Sequence, residues 1–377
     1  MSVGVAILGS TGSIGCSTLQ VLARQQHRFR VTALTGHSNV ALLERQAAEW
    51  RPAYVGIVNG GMRDAGCGMR TGIDCLIEAA TRPDVNIVVN GVVGAAGLPA
   101  TLAALSAGKR VALANKETLV MAGELVVRAA RDGGGEIVPV DSEHSAVLQC
   151  ITGRRPTEVA RLILTASGGP FRTWAPERVA QATVEEALRH PTWKMGRKIT
   201  VDSATLVNKA LEVIEAHFLF GLAYESVEVV VHPQSVVHAF VEFVDGSVLA
   251  QVGFPNMELP ILYALTHPER VPDSGTRRFD PVAVGALTFE PIRPEIYAAY
   301  ALGRAAAAAG GTTPTAFNAA NEVAVELFLA GKIRFGRIAR TIERVLQSYR
   351  PTGASTLEAV LAADGEARRL AREAACS

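Results

Sequence analysis

Asp141, Ser142 and Glu143 follow directly on the apolar run EIVPV. If the extended geometry persists past that strand, Asp141 and Glu143 project on one side, at a strand end, where sites collect in α/β sheets. Two carboxylates so placed suit a hard divalent cation, Mg²⁺ or Mn²⁺ with Co²⁺ a third candidate, because such ions take oxygen ligands and keep waters that a substrate displaces. The same residues would equally make a helix N-cap with an acid in its first turn, so a third carboxylate has to decide. The segment Asp202-Ser-Ala-Thr-Leu-Val-Asn-Lys-Ala-Leu-Glu-Val-Ile-Glu-Ala-His-Phe opens on capping residues and then follows helical periodicity. Val207, Ala210, Leu211, Ile214 and Phe218 form its apolar stripe, while Asn208, Glu212 and Glu215 share another face beside Lys209. That face is either solvated or the mixture of amide, ammonium and carboxylate that a phosphate-plus-metal site needs; spacing leaves both open.

Four further segments carry groups suited to anions. Gly9-Ser10-Thr11-Gly12-Ser13-Ile14-Gly15 joins the strand VGVAIL to a helix, the context in which glycines let backbone amides approach a pyrophosphate. A tight turn without a ligand would have the same composition. An enzyme selective for NADH places an acid after its second strand, but residues 31 to 43 contain none and offer Gly36, His37, Ser38 and Asn39; these suit a 2′-phosphate and favour NADPH, although a plain polar turn reads equally well. Thr165-Ala-Ser167-Gly-Gly-Pro-Phe171 supplies a hydroxyl among flexible amides. His190-Pro-Thr-Trp193-Lys-Met195-Gly196-Arg-Lys198 has the basic, aromatic, Gly-punctuated composition of a flap over a bound anion, near residues 188–198; a tight turn for the first of these two segments and a surface loop for either would read the same. His232 and His238, in a strand-like stretch, read as packed or surface residues rather than zinc ligands.

These groups need a scaffold, and its outline is legible. From Val3 to about Val140 short apolar runs alternate with helical stretches, which predicts an α/β, Rossmann-like domain with a parallel sheet over residues 1–140. SVVHAFVEF and SVLAQVGF then alternate with period two, predicting a central α+β domain at 141–267 with an antiparallel or mixed sheet. PERVPDSGTRRFDP marks a linker at 268–281. Ala298–Ala309, Thr315–Ala330, Arg337–Ser348 and Thr356–Ala375 are amphipathic, predicting a C-terminal helical bundle at 282–377. With 37 basic and 36 acidic side chains and a net charge of +1, there is no field to draw nucleic acid or a membrane surface. The five scattered cysteines lack the spacing of a disulfide framework or zinc site and fit a reducing cytoplasm. The N-terminus has no basic n-region, and the uncharged window Val85–Gly108 is punctuated by Asn, Gly and Pro, so a buried α/β unit is predicted rather than a signal or membrane span.

With LANKETLV, PVDSEH, TASGGPF, HPTWKMGRKITVDSATLVNKALEVIEAHFLF, HPQSVVHAFVEFVDGSVLAQ and FNAANEVAVELFLAGKI added in this order, the chain closely resembles the 1-deoxy-D-xylulose 5-phosphate reductoisomerase family over nearly its whole length. The resemblance implies an NADPH- and divalent-metal-dependent homodimer, with 141–267 as its catalytic domain, that makes 2-C-methyl-D-erythritol 4-phosphate in the non-mevalonate route to isoprenoids. It implies that Asp141, Glu143 and Glu212 ligate the metal, that Lys116 touches substrate oxygens and steers protons with Glu143, and that Glu212 also meets substrate. Ser167, His190, Ser203, Asn208 and Lys209 become the phosphate cradle, Ser142 faces the substrate backbone, and Trp193 and Met195 belong to the flap. Thr11, Gly12, Ser13, Ile14, Asn115, Glu117 and Gly196 fall at cofactor positions; where some members carry a lysine, this chain reads His37-Ser38-Asn39. The rivals are a simple NADPH-dependent dehydrogenase, against which the third carboxylate argues, and a dinucleotide-sensing regulator, which would need no metal. A thiol-dependent semialdehyde dehydrogenase is disfavoured because Cys150 lies in the apolar VLQCITG, a poor place for a thiolate.

Overall fold

The computed structural model describes residues 2–60 and 69–376; Cys67 lies outside them. The chain builds two compact units, one from residues 1–118, 126–148 and 256–278, the other from 119–125, 149–255 and 279–377.

The first unit is organised by seven parallel strands: β1 (Val3–Leu8), β2 (Phe29–Gly36), β3 (Tyr54–Ile57), β4 (Arg70–Thr71), β5 (Ile87–Asn90), β6 (Arg110–Leu113) and β7 (Glu136–Pro139), in the order β4-β3-β2-β1-β5-β6-β7. The connecting helices are α1 (Ser13–Arg24), α2 (Val40–Trp50), α3 (Cys75–Thr81), α4 (Leu98–Ser106), α5 (Lys116–Gly133, broken at Ala122, with residues 119–125 belonging to the second unit) and α6 (Ser142–Ile151, with residues 149–151 belonging to the second unit). Val5 to Leu8 and Ile87 to Asn90 are buried without alternation, as a parallel sheet covered on both faces requires. This is the α/β architecture predicted from the strand–helix alternation. The chain runs outward from β1 to β4 and then returns to β5 on the other side of β1, so a topological switch point lies between β1 and β5, where the ligand crevice of such sheets opens. The Pro-rich segment beginning at Pro268 is fastened to the end of α1: Arg24 donates to Asp273 at 2.7 Å and to Glu258 at 2.5 Å, and Gln25 donates to the Pro272 carbonyl at 2.9 Å.

The second unit contains β8 (Val159–Ala166), β9 (Val227–Val231), β10 (Val237–Phe243) and β11 (Val248–Val252) in the order β11-β10-β8-β9. β8 and β9 are parallel and the other pairings antiparallel, so the sheet is mixed. Two consecutive helices, Arg197–Ala204 and Val207–Phe220, and four C-terminal ones, Ala298–Ala309, Thr313–Leu329, Arg337–Ser348 and Leu357–Cys376, enclose a core that includes Val207, Leu211, Ile214, Phe317, Phe328 and Ile338. Among the described residues no helix is long and apolar enough to cross a membrane.

Candidate active site

In the first unit, backbone geometry accounts for two of the three fingerprint glycines. Gly9, at φ +82°, turns the chain out of β1, a conformation that L side chains disfavour. A Cβ on Gly15 would fall 2.4 Å from the Gly9 carbonyl oxygen and the Ser10 Cα, so α1 reaches the turn only without one. Gly12 is different: a Cβ there would meet only the Gly9 carbonyl oxygen, at 3.3 Å. Gly12 is the N-cap of α1, gives no side-chain cap, and the first turn holds no acid. The orphan N–H groups and the positive end of the helix are therefore left for an outside anion, and Thr11, Ser13 and Ile14 sit in the same turn. The Thr11 hydroxyl oxygen lies 3.4 Å from where a Cβ of Gly36 would be, which brings the segment Gly36–Asn39 to this turn. Asn39 caps α2 by accepting from Leu42 N at 3.2 Å, and His37 Nε2 lies 3.2 Å from Asn59 Nδ2.

At the other side of the switch point Asn115 caps α5. It accepts from Thr118 N and donates to the carbonyls of Val92 (2.8 Å) and Gly94 (3.0 Å) and to Glu117 (2.9 Å). Asn115 and Glu117 thus fix the loop that follows β5. Lys116, the first residue of α5, pairs its ammonium with Asp141, their side chains 7% and 16% exposed. Here the expectation of extended geometry fails: α6 begins at Ser142, and Ser145 N bonds back to the Asp141 carbonyl at 2.8 Å. Asp141 stands before the helix and Glu143 in its first turn because Asp-Ser-Glu is itself a strong helix start. The Ser142 hydroxyl donates to Glu143 at 2.6 Å. Fully buried His144 places Nδ1 3.9 Å from Asp141; its i,i+3 spacing from Asp141 was the available signal for it.

In the second unit β8 delivers Ser167 into a turn whose next residues, Gly168 and Gly169, both have positive φ. Ser167 Oγ accepts from Gly169 N at 3.1 Å and meets His190 Nε2 at 2.9 Å. His190 Nδ1 accepts from the backbone N–H of Thr192 (3.1 Å) and Trp193 (2.8 Å), so the ring proton must be on Nε2 and is donated to Ser167. With both acceptor positions of Ser167 used, its O–H is left as a donor, the function an anion requires. Burial pushes the His190 pKa down from 6.5 to about 4, keeping the ring neutral around pH 7. Because the folded pKa lies below the unfolded one, the unfolded chain takes up this proton first, and stability is lost as pH falls from about 6.5 toward 4. The stability advantage of the native chain over His190→Gln should therefore shrink through that window in denaturant titrations at successive pH values; parallel curves for the two proteins would remove this coupling.

The turn abuts the Arg197–Ala204 helix, since a Cβ on Gly169 would lie 2.9 Å from the Ser203 carbonyl oxygen. Asp202 and Ser203 close that helix rather than cap the next, contrary to the sequence expectation, because Leu206 at φ +55° breaks the run and starts a new helix at Val207. Along the new helix, Lys209, Glu212 and Glu215 are 3%, 1% and 3% exposed, which excludes the solvated-face alternative. Glu212 accepts from Asn208 Nδ2 and Lys209 Nζ, each at 2.5 Å. Asn208 Oδ1 is buried without a hydrogen-bond donor, a polar group that a ligand would satisfy. Between these helices and the turn, the irregular segment 188–196 carries half-buried Trp193, whose ring lies 6.2 Å from that of His238, and half-buried Met195; exposed Gly196 caps the Arg197–Ala204 helix.

A switch-point sheet with an uncapped, glycine-lined helix start suits a dinucleotide pyrophosphate, and a unit that buries lysine, amide and carboxylate suits an anionic ligand. Family models described as 1-deoxy-D-xylulose 5-phosphate reductoisomerase, its C-terminal domain, and DXP reductoisomerase C-terminal domain match residues 5–123, 137–220 and 252–370. The reductoisomerase of Geobacter sp. (strain M21) is 49% identical, with 98% of each chain covered, and that of Gloeobacter violaceus 48% identical, with 98% and 96% covered. The solved structure of the Zymomonas mobilis enzyme in complex with NADPH has a TM-score of 0.92 at 42% identity, over all of both chains. A DOX-P reductoisomerase solved with NADPH, fosmidomycin and magnesium has a TM-score of 0.94 at 42% identity, covering 99% of this chain and 98% of that one. The chain belongs to the 1-deoxy-D-xylulose 5-phosphate reductoisomerase family.

Proposed function

We propose that the chain converts 1-deoxy-D-xylulose 5-phosphate to 2-C-methyl-D-erythritol 4-phosphate with NADPH and a divalent cation, using the residues that follow. The observation that carries this is family membership over 98% of the chain at 49% identity, with a relative solved in the presence of NADPH and magnesium.

Both groups fit the residues present. NADPH suits the uncapped α1 start, which the absence of a Cβ at Gly15 lets approach the turn after β1. A magnesium ion suits Asp141, Glu143 and Glu212, an all-oxygen donor set, and buried Asn208 Oδ1 is an acceptor still lacking a donor. When bound, the cation supplies Lewis-acid polarisation of the substrate's oxygens, and NADPH supplies hydride. The chain's own groups do the rest. Lys116, oriented by Asp141, offers an Nζ proton to developing negative charge on the substrate, and Glu143 is placed to exchange a proton beside Ser142. Ser167, Ser203, Asn208 and Lys209 hold the phosphate, with His190 orienting the Ser167 hydroxyl toward it; the binding energy of the phosphate is remote from the reacting carbons and so can drive closure. Trp193 and Met195 then exclude water, which keeps the rearranged aldehyde from hydrating before reduction. His37 and Ser38 are left to meet the 2′-phosphate.

A second copy of the chain is proposed to pair along β11. It is the edge of the mixed sheet, and Val244 (69% exposed), Val248 (48%) and Leu249 (41%) cluster there, an apolar edge that invites strand pairing. A cytoplasmic location is consistent with free thiols at Cys16 and Cys75, the latter pushed up to about 11 by burial.

The test follows NADPH absorbance with the purified protein and 1-deoxy-D-xylulose 5-phosphate, after chelation and again after adding Mg²⁺. Oxidation only with metal, with the branched polyol phosphate as product and a particle of twice the chain mass, is the expected result. No oxidation by folded protein that binds NADPH would return the chain to a plain dehydrogenase or a sensor.

A further inference from the structure

The motif FNAANE has no part in the chemistry above, yet it and the threonine two residues before it bury three polar side chains in the Thr313–Leu329 helix: Thr315, Asn318 and Asn321 are each 0% exposed. Burying amides and hydroxyls costs free energy unless each is bonded, so where their bonds lead shows what they fix. Thr315 donates to the Met121 carbonyl at 3.0 Å, at the break in α5. Asn318 donates to Glu322 at 3.2 Å, which pairs with Arg368; that bond stays inside the helical bundle. Asn321 donates to Asp202 Oδ1 at 2.7 Å. Asp202 is 1% exposed, and its other oxygen lies 3.1 Å from Lys198 one turn earlier in the same helix.

Asp202 therefore joins three things: the first turn of the Arg197–Ala204 helix through Lys198, the C-terminal bundle through Asn321, and Ser203 as its chain neighbour. A buried carboxylate satisfied from two sides tolerates little displacement, because a lost partner leaves charge uncompensated in a poorly solvated place. Ser203 in turn has the Gly169 backbone against its carbonyl, so the turn bearing Ser167 takes its position from the same helix.

We propose that Asn321 and Asp202 are positioning residues that set the phosphate-binding geometry of Ser203 and Ser167 from the C-terminal bundle, without touching substrate. This rests on the phosphate role given to Ser203 above. The readout is competitive inhibition by inorganic phosphate, alongside KM and kcat for 1-deoxy-D-xylulose 5-phosphate and the Kd for NADPH. Asn321→Ala should raise the phosphate inhibition constant and KM about 10-fold, equivalent to about 1.4 kcal/mol, lower kcat less than about 3-fold, and leave the NADPH Kd unchanged. Asn321→Asp sets two carboxylates against each other and should be worse. The reciprocal exchange Asp202→Asn with Asn321→Asp restores an amide-to-carboxylate bond and should recover phosphate inhibition relative to Asn321→Asp alone, a recovery that also serves if Asn321→Ala does not fold. An unchanged phosphate constant in folded Asn321→Ala, or no recovery in the exchange, overturns the proposal. Ser203→Ala separates the two layers: if it weakens phosphate while Asn321→Ala does not, only the positioning role falls, whereas no effect of Ser203→Ala removes the phosphate role and the proposal with it.

Discussion

Glu212→Gln should lower kcat by about 10³-fold, roughly 4 kcal/mol of transition-state stabilisation, and raise the Mg²⁺ needed for half-maximal activity at least about 10-fold. The substitution keeps shape and the amide contact to Asn208 but removes one of three proposed anionic ligands. It also deprives Lys209 of the carboxylate that sits 2.5 Å from its ammonium in a nearly dry place, the two side chains being 3% and 1% exposed. Some loss of stability is therefore expected beside the loss of turnover, and rates must be compared at temperatures where both proteins are folded. The NADPH Kd should not move, because the uncapped start of α1 owes nothing to this helix. Near-native turnover across a Mg²⁺ titration would take Glu212 out of the ligand set.

The long periodic elements of this fold were legible in the sequence because burial on both faces of a parallel sheet demands the unbroken apolar runs VAIL and IVV, and the bundle demands four amphipathic helices; the observed helices Ala298–Ala309 and Arg337–Ser348 begin and end where periodicity puts them. β3 and β4 were not, since YVGI and RT are too short to carry a period. The local misreadings share one cause, namely that a few residues decide the backbone where patterns run on. Asp141-Ser-Glu143 reads as well as strand continuation as it does as a helix start, and only the bond from Ser145 N fixes it. The break at Leu206 leaves the apolar spacing of VDSATLVNKALEVIEAHF intact, so two helices look like one. Burial of Glu212, Glu215 and Lys209 could not be read from spacing either, because a face of charged residues is normally solvated and only tertiary packing decides that this one is covered. The bond between Asn321 and Asp202 spans 119 residues and left only an unusual trace, amides at helix positions that packing makes apolar.

Lys209→Ala should raise KM for the phosphorylated substrate by about 100-fold, since it removes a proposed charge-assisted bond to phosphate, and should also lower thermal stability, and the second effect identifies the first. In the native chain the Lys209 ammonium offsets the buried Glu212 carboxylate. Its removal leaves that charge short of a cation, a change that costs about 3–5 kcal/mol in buried pairs. The extent differs if the carboxylate lies in a metal site: added Mg²⁺ then takes over part of the offset, and by mass action it should raise the melting temperature of Lys209→Ala more than that of the native protein. The double variant Lys209→Ala with Glu212→Gln removes both charges, so its stability cost should be smaller than the sum of the two single costs by more than about 1 kcal/mol. Melting curves in chelator and in Mg²⁺ for these four proteins give all the terms. Additive costs would mean the pair is not coupled as its geometry indicates, and an equal Mg²⁺ shift in native protein and Lys209→Ala would separate Lys209 from the metal site while leaving its phosphate role to the KM measurement.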